Sequence, residues 1–502
     1  MKQLLFGFLL TVFTIPVLMA QELLLPAPYT DHMVLQRNRP LTLTGQAPAG
    51  KTVQLAFKGE TIRTTADATG RFRFSLPAQP AGGPYDLSFT CGTSTVVCRD
   101  VYVGEVWLCS GQSNMQFALQ DCSTAAEDLA LADSLPQLHL YNMCAAFIPF
   151  REIWSPERIA AVDRGDYIRQ GQWTVCSAEA ARHFSAIAFH VGRLLADSLQ
   201  CHIGLIANAL DGCTTEGWID GETLQREVPE ILEGNWTENE HIMAWSRHRA
   251  QYNLQRTTVT QHRHPYEPTY LYDAAIRPLA AYPLRGVLWY QGESNAERVA
   301  IHERLFESLQ HSWRANWQDP ALPFHFVQIA SLSNRPTWPA FRDSQRRLAE
   351  KLPFTYMTVS HDMGEADNIH PTRKRVIGER LAASVLHHTY KYKDIVPSGP
   401  TPRRAYRTAG QEVCIEMDHA EGLHTGNGTG AADFEMADKA GRFIPCTALT
   451  LKDGEILLRL PRSLTQAVKV RFAYRDRTTA QLLNAAGLPC PTFEINVETG
   501  CK

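Results

Sequence analysis

Residues 106–119 read VWLCSGQSNMQFAL, a short apolar run that breaks into small and amide side chains around one hydroxyl, Ser113. A continuous apolar run ending at a glycine has the pattern of a strand buried on both faces. Gly111 lets the chain turn tightly after it. A helix starting at about Asn114 then gives Ser113 unpaired backbone donors beside its own hydroxyl, the setting in which an attacking oxygen and an anion-holding N–H sit together. A Ser that merely caps the helix is the alternative for this residue taken alone. The surrounding pattern is not G-x-S-x-G, so the nucleophile elbow of the α/β hydrolases is a poor fit.

From about Val101 onward, apolar runs alternate with amphipathic helical patterns: VWLCSG, HFSAIAFHVGRLLADSL, HIGLIANALDG, GVLWYQGESN, HERLFESLQHSWRANW, LPFHFVQIA and PFTYMTVSHD. That alternation predicts an α/β fold, a parallel sheet flanked by helices on both faces. Residues 219–282 break the rhythm and read as a helical insertion. Before residue 100, short alternating runs between Asn, Gly, Pro and Asp predict a β-sandwich over 21–100. After about Tyr392 the strand pattern returns in QEVCIEMDH, ALTLKDGEILLRLP and AVKVRFAYRD, a C-terminal β domain over 393–502 that folds alone or completes a sandwich with the first. The α/β segment between them, 101–392, is expected to be the catalytic domain. At 502 residues, two or three such units are expected.

Lys plus Arg (49) nearly balance Asp plus Glu (52), which gives no support for nucleic acid or an anionic membrane as partner. Residues 1–20 carry an early Lys2 and then an apolar run, the form of a signal peptide cleaved after Ala20, with an uncleaved anchor as the alternative. A secreted or periplasmic location follows, and no later stretch approaches the length of a membrane span. The twelve cysteines show no CxxC spacing; Cys91 and Cys98 flank an expected hairpin that they are able to bridge.

Three further segments end apolar runs with polar turns: NALDGCT, WYQGESN and SHDMGEADNIHP. In a parallel sheet such strand ends form the ligand crevice. In the last, Asp367 and His370 are three apart, so Asp367 can hold one ring nitrogen while the other takes a proton from Ser113. A helix cap with surface charges is the plainer reading. His361, Asp362, Glu365, Asp367 and His370 also lie close in sequence, but without a compact His pair on a helix; no metal or other cofactor is expected. Gly212 offers an unobstructed N–H and Gln291 a side-chain amide to a developing oxyanion. Glu293 is an alternative acid for His370, ranked below Asp367 because Asp367 is tethered near the histidine.

Taken in order, GQSNM, WYQGESN and the D-x-x-H of DNIHP resemble the SGNH-hydrolase superfamily and, more narrowly, the sialate O-acetylesterase family of carbohydrate acetylesterases. MVLQRNRPLTLTGQAPAGKTVQLAF, FSAIAFHVGRLL and VRFAYRDRTTAQLLNAAGLPCPTFEINV fit the family's layout, so the resemblance spans nearly the whole mature chain. It implies Ser113 as nucleophile, His370 and Asp367 as its relay, and the N–H of Ser113, Gly212 and Gln291 as the oxyanion hole. It further implies an O-acetylated sialic acid as substrate, with acetylated xylan or another acetylated glycan as the alternative. A carbohydrate-binding scaffold with a relic site is the reading without catalysis. The family's Gly-Gly-Thr turn is Asp211-Gly212-Cys213 here, which bears on the pocket wall. A sialate carboxylate calls for a cation; Arg342 is the candidate, against an ordinary helix-surface arginine.

Overall fold

The computed structural model describes residues 23–408, 411–452, 454–464 and 466–498; the expected leader over 1–20 lies outside the described residues. At the centre is a sheet whose strands run in the spatial order Trp173–Val175, Leu138–Ala145, Ile203–Ala209, Ser94–Gly111, Gly286–Tyr290, Phe324–Val327 and Thr355–Thr358. Every neighbouring pair is parallel except the edge strand Trp173–Val175, which runs antiparallel to Leu138–Ala145. The chain first builds on one side of Ser94–Gly111, where Ile203–Ala209 inserts between it and the earlier Leu138–Ala145, and then outward on the other. That strand is therefore the topological switch point, where the connections on its two sides diverge and leave a crevice at the carboxyl ends.

Successive side chains of the central strand enter opposite cores. Trp107 and Cys109 are buried with Ile187, Val191 and Leu195 of the helix Ala186–Leu199 and Ile377, Leu381 and Val385 of Lys374–His388. Val106 and Leu108 are buried on the other face, with Leu305, Leu309 and Trp313 of Val299–Asn316, with Trp218 and with Leu271 of the inserted segment. Burial on both faces is why the sequence shows a solid apolar run rather than alternation; each such side chain contributes about 2 kcal/mol.

The N-terminal β segment forms two layers. Leu41–Gln46 pairs with Arg71–Leu76, whose strict alternation of exposed and buried residues turns Phe72 and Phe74 inward. These rings meet Phe89 of the facing strand Gly82–Cys91. The other layer holds Thr52–Phe57, Glu60–Thr65, Gly82–Cys91 and the first half of Ser94–Gly111. One strand thus serves the β layer and the central sheet, and the expected boundary at residue 100 falls inside it. The core of this segment is continuous with one face of the central sheet, whereas the C-terminal segment has a core of its own around an eight-stranded sheet. The inserted residues contain the helices Gly221–Glu227 and Ala244–Asn253 with the 3-10 turn Pro229–Leu232 between them, followed by the π-helical turn Tyr272–Ile276.

Two expectations are corrected. Cys91 and Cys98 are free thiols, because the hairpin register sets Cys91 opposite Ser94 and Cys98 opposite Leu87. Arg342 is neither a substrate cation nor a helix-surface residue. The C-terminal β segment covers its helix Trp338–Lys351, and the guanidinium is wholly buried, donating to Thr492 Oγ1 at 3.0 Å, Asp476 O at 3.3 Å and Arg475 O. Burial pulls its pKa down to about 9. Among the described residues no helix is long and apolar enough to cross a membrane.

Candidate active site

The register levels the three strands at the switch point: Gly111 lies opposite Ala209 on one side and Tyr290 on the other. Ser113, Gly212 and Gln291 each follow within three residues, so one edge of the sheet gathers all three. Gly111 is required there, since a Cβ would meet Tyr290 O at 2.1 Å and its φ is +134°. Ser113 is half-buried and opens the short helix Ser113–Gln116. Its N–H has no intrahelical acceptor before it.

Beneath Ser113 lies a buried polar chain. Asn114 donates through Nδ2 to Glu293 Oε1 at 2.6 Å and to Ile369 O at 3.0 Å, and its Oδ1 accepts from Lys374 Nζ. The residue after Ser113 is thereby bonded to the residue before His370. Burial pushes the Glu293 carboxyl up, softened by its own N–H, the Asn114 amide and the Lys374 charge. The same burial pulls Lys374 down to about 7, which Glu293 partly offsets. Among the described residues no side chain or backbone group is placed to hydrogen-bond Glu293 Oε2. Lys374 also lies over the rings of Phe117, at 4.7 Å, and Tyr290, at 5.7 Å.

The half-buried His370 sits on a loop braced through its backbone. Its N–H donates to Asn368 Oδ1 at 2.9 Å, and its carbonyl accepts from Asn368 Nδ2 at 2.8 Å. Glu365 accepts from the same Asn368 amide and from Thr372 N. The His370 ring lies 6.4 Å from that of Phe117, between centroids. Burial lowers its pKa, the Asp211 carboxylate pulls it back up, and the Lys374 charge lowers it further. Asp367 is exposed, and among the described residues no hydrogen bond joins it to His370. Glu293 engages Asn114 and not the histidine ring. His361 and Asp362 are spent elsewhere, on Cys490 O and Arg380.

Gly212 adopts φ +69°, and a Cβ there would meet Trp245 and the Tyr266 hydroxyl. Its N–H has no backbone acceptor among the described residues. Gln291 is buried in a second polar cluster: Oε1 accepts from Thr215 Oγ1 at 2.7 Å, while Nε2 donates to Asn295 Oδ1 at 2.6 Å and Cys213 O at 3.3 Å. Asn295 in turn donates to the buried Glu216. Gln112 completes the floor, accepting from the N–H groups of Gly292 and Ser294. A cleft of about 1310 Å³ opens elsewhere, lined by Pro28, Arg71, Arg164 and Arg263 among others; Ser113, Gly212, Gln291 and His370 take no part in it.

Sequence reasoning missed Asn114, Thr215, Asn295 and Lys374. Asn114 and Asn295 stand inside the quoted motifs and were open to notice. Lys374 begins a basic, surface-like helix in sequence, and its burial arises only when that helix packs against Phe117 and Tyr290.

Residues 239–387 match the family described as carbohydrate esterase, sialic acid-specific acetylesterase, a span that includes Gln291, Glu293, Asp367, His370 and Lys374. The chain is 27% identical to a sialate O-acetylesterase of Mus musculus, with 93% of each chain covered. It is 28% identical to a sialate O-acetylesterase of Homo sapiens over 65% of this chain and 62% of that one. Among solved structures, a carbohydrate acetylesterase from Xanthomonas citri superposes with a TM-score of 0.78 at 27% identity, covering 94% of this chain and 99% of that one. The fold and the strand-end site agree with these matches, and over nearly its whole length the chain is similar to sialate O-acetylesterases and to a carbohydrate acetylesterase, which are carboxylic ester hydrolases.

Proposed function

We propose that this esterase removes O-acetyl groups from sialic acids through an acetyl-enzyme on Ser113. The observation that carries the reading is the link Ser113–Asn114–Ile369–His370, in which one amide fixes the nucleophile's turn against the histidine loop. His370 takes the Ser113 proton as the hydroxyl attacks the acetyl carbonyl, then returns it to the departing sugar alcohol; water repeats the two steps on the acetyl-enzyme. The N–H groups of Ser113 and Gly212 carry most of the oxyanion charge. Gln291 adds a third donor by giving up its 3.3 Å contact to Cys213 O. Asp367 is the acid that orients His370 once substrate draws the loop inward, since catalytic hydrogen bonds are often long before substrate binds. A secreted or periplasmic enzyme of this kind meets acetylated glycans outside the cytoplasm.

The test is acetate release from O-acetylated sialic acid and from acetylated xylan, side by side, by the full chain. Preferential release from the sialate supports the reading. Preference for xylan keeps the esterase and discards the sialate substrate.

The pH dependence tests His370. The imidazole must be neutral to accept a proton, and burial lowers its pKa. Rate therefore rises with pH and levels off below about pH 6.5, the ordinary imidazole value. Asp211 opposes that lowering, so Asp211→Asn moves the acid limb of kcat/KM to still lower pH. A limb that moves upward in this variant refutes His370 as the base.

A further inference from the structure

The inserted helix Ala244–Asn253 brings two side chains to the rim of the site that the esterase chemistry leaves unused. Trp245 is half-exposed, and its indole tip lies so close to the Gly212 turn that a Cβ on Gly212 would approach it to 2.6 Å. Tyr266 holds the indole in place, edge to face at 5.1 Å between centroids, while its hydroxyl donates to Asp211 O at 3.1 Å. The wall beside Gly212 is therefore a fixed aromatic surface.

Arg249 follows one helical turn later, on the same side of the helix. Its guanidinium lies 5.8 Å from the Trp245 ring centroid. Nη1 donates to Pro149 O at 2.5 Å, which anchors the side chain to the loop after the strand Leu138–Ala145. Among the described residues no carboxylate lies within ion-pair distance of Arg249, whereas Arg263 and Arg277 of the same inserted segment pair with Glu267 and Asp273. A half-buried guanidinium with a single carbonyl partner keeps most of its five donors for something else. An anion delivered by a ligand is the natural complement, because a charge held away from bulk water is costly until it is paired.

We propose that Trp245 and Arg249 form the sugar subsite: the indole lies against the apolar face of the pyranose, and the guanidinium takes the carboxylate of an acidic sugar. The inserted segment is then the specificity element of the enzyme. This rests on the esterase reading above, with the acetyl group at Ser113 and Gly212.

The experiment compares O-acetylated N-acetylneuraminic acid with its methyl ester, which has the same acetyl group and no charge, in the full-length wild type, Arg249→Gln and Arg249→Lys. Wild type favours the free acid. In Arg249→Gln the ratio of kcat/KM for acid over methyl ester falls tenfold to about a hundredfold, carried by KM, and Arg249→Lys restores part of it. Trp245→Ala raises KM for both sugars more than for nitrophenyl acetate, which has no pyranose to stack. An unchanged acid-to-ester ratio in Arg249→Gln overturns the proposal, including the case where the variant loses equally on both because the helix is disturbed. Cleavage of nitrophenyl acetate and acetylated xylan without sialate cleavage by wild type overturns it as well, while leaving the esterase itself in place. Loss of all ester cleavage by wild type fails both readings at once.

Discussion

Ser113→Ala lowers kcat for acetate release by about 10⁴- to 10⁶-fold while the protein unfolds at the same temperature as wild type. On the proposed mechanism the size follows from removing the atom that forms the acetyl bond; what survives is the rate that oxyanion donors and binding give to direct attack by water. Stability is spared because the hydroxyl is half-buried and, among the described residues, no hydrogen bond of the fold runs through it. Such a change lies within about 0.5 kcal/mol. Acetate release by the variant within tenfold of wild type refutes the nucleophile.

Asn114→Ala acts on both function and stability. The amide is the common partner of a buried ammonium, a buried carboxyl and the Ile369 carbonyl. Alanine leaves all three facing a void, and the expected loss is about 3 kcal/mol of folding free energy. The histidine loop is then no longer tied to the nucleophile's turn, and a displacement of about 1 Å costs about a hundredfold in kcat. Denaturant unfolding with steady-state kinetics reads both. Glu293→Gln separates positioning from acid chemistry, because the amide still offers an oxygen to Asn114 Nδ2. Its kcat stays within about tenfold of wild type, whereas Asp367→Asn falls further. The reverse order reassigns the acid to Glu293.

The architecture and the strand-end residues were readable because the relevant physics is local. A glycine between a buried strand and a hydroxyl, repeated by Gly212 and Gly292 at the neighbouring strand ends, marks a crevice without knowledge of what lies across it. Arg342 shows where local reading stops. Its helix has a periodic polar face in sequence, and only the C-terminal sheet, built from residues more than a hundred positions later, turns that face into an interior. Lys374 is the same case at the site. The histidine and its acid were read as a pair from their spacing, but spacing carries no rotamer. The structure spends the loop's hydrogen bonds on Asn368 and Glu365 instead. Trp245 and Arg249 lay in a polar insertion with no periodic signal, and their place beside Gly212 depends on how that segment folds back.

The strand Ser94–Gly111 has a mechanical meaning. Its first half is stitched to the β layer and its second half is the middle strand of the catalytic sheet. Gln36 and Arg37, from the β layer, clamp the midpoint by bonding to the buried Glu105. A beam built into both bodies leaves no hinge between them, so the crevice is not opened by one swinging away from the other. Any change of access to the crevice therefore falls to side chains at its rim and not to relative motion of the two bodies.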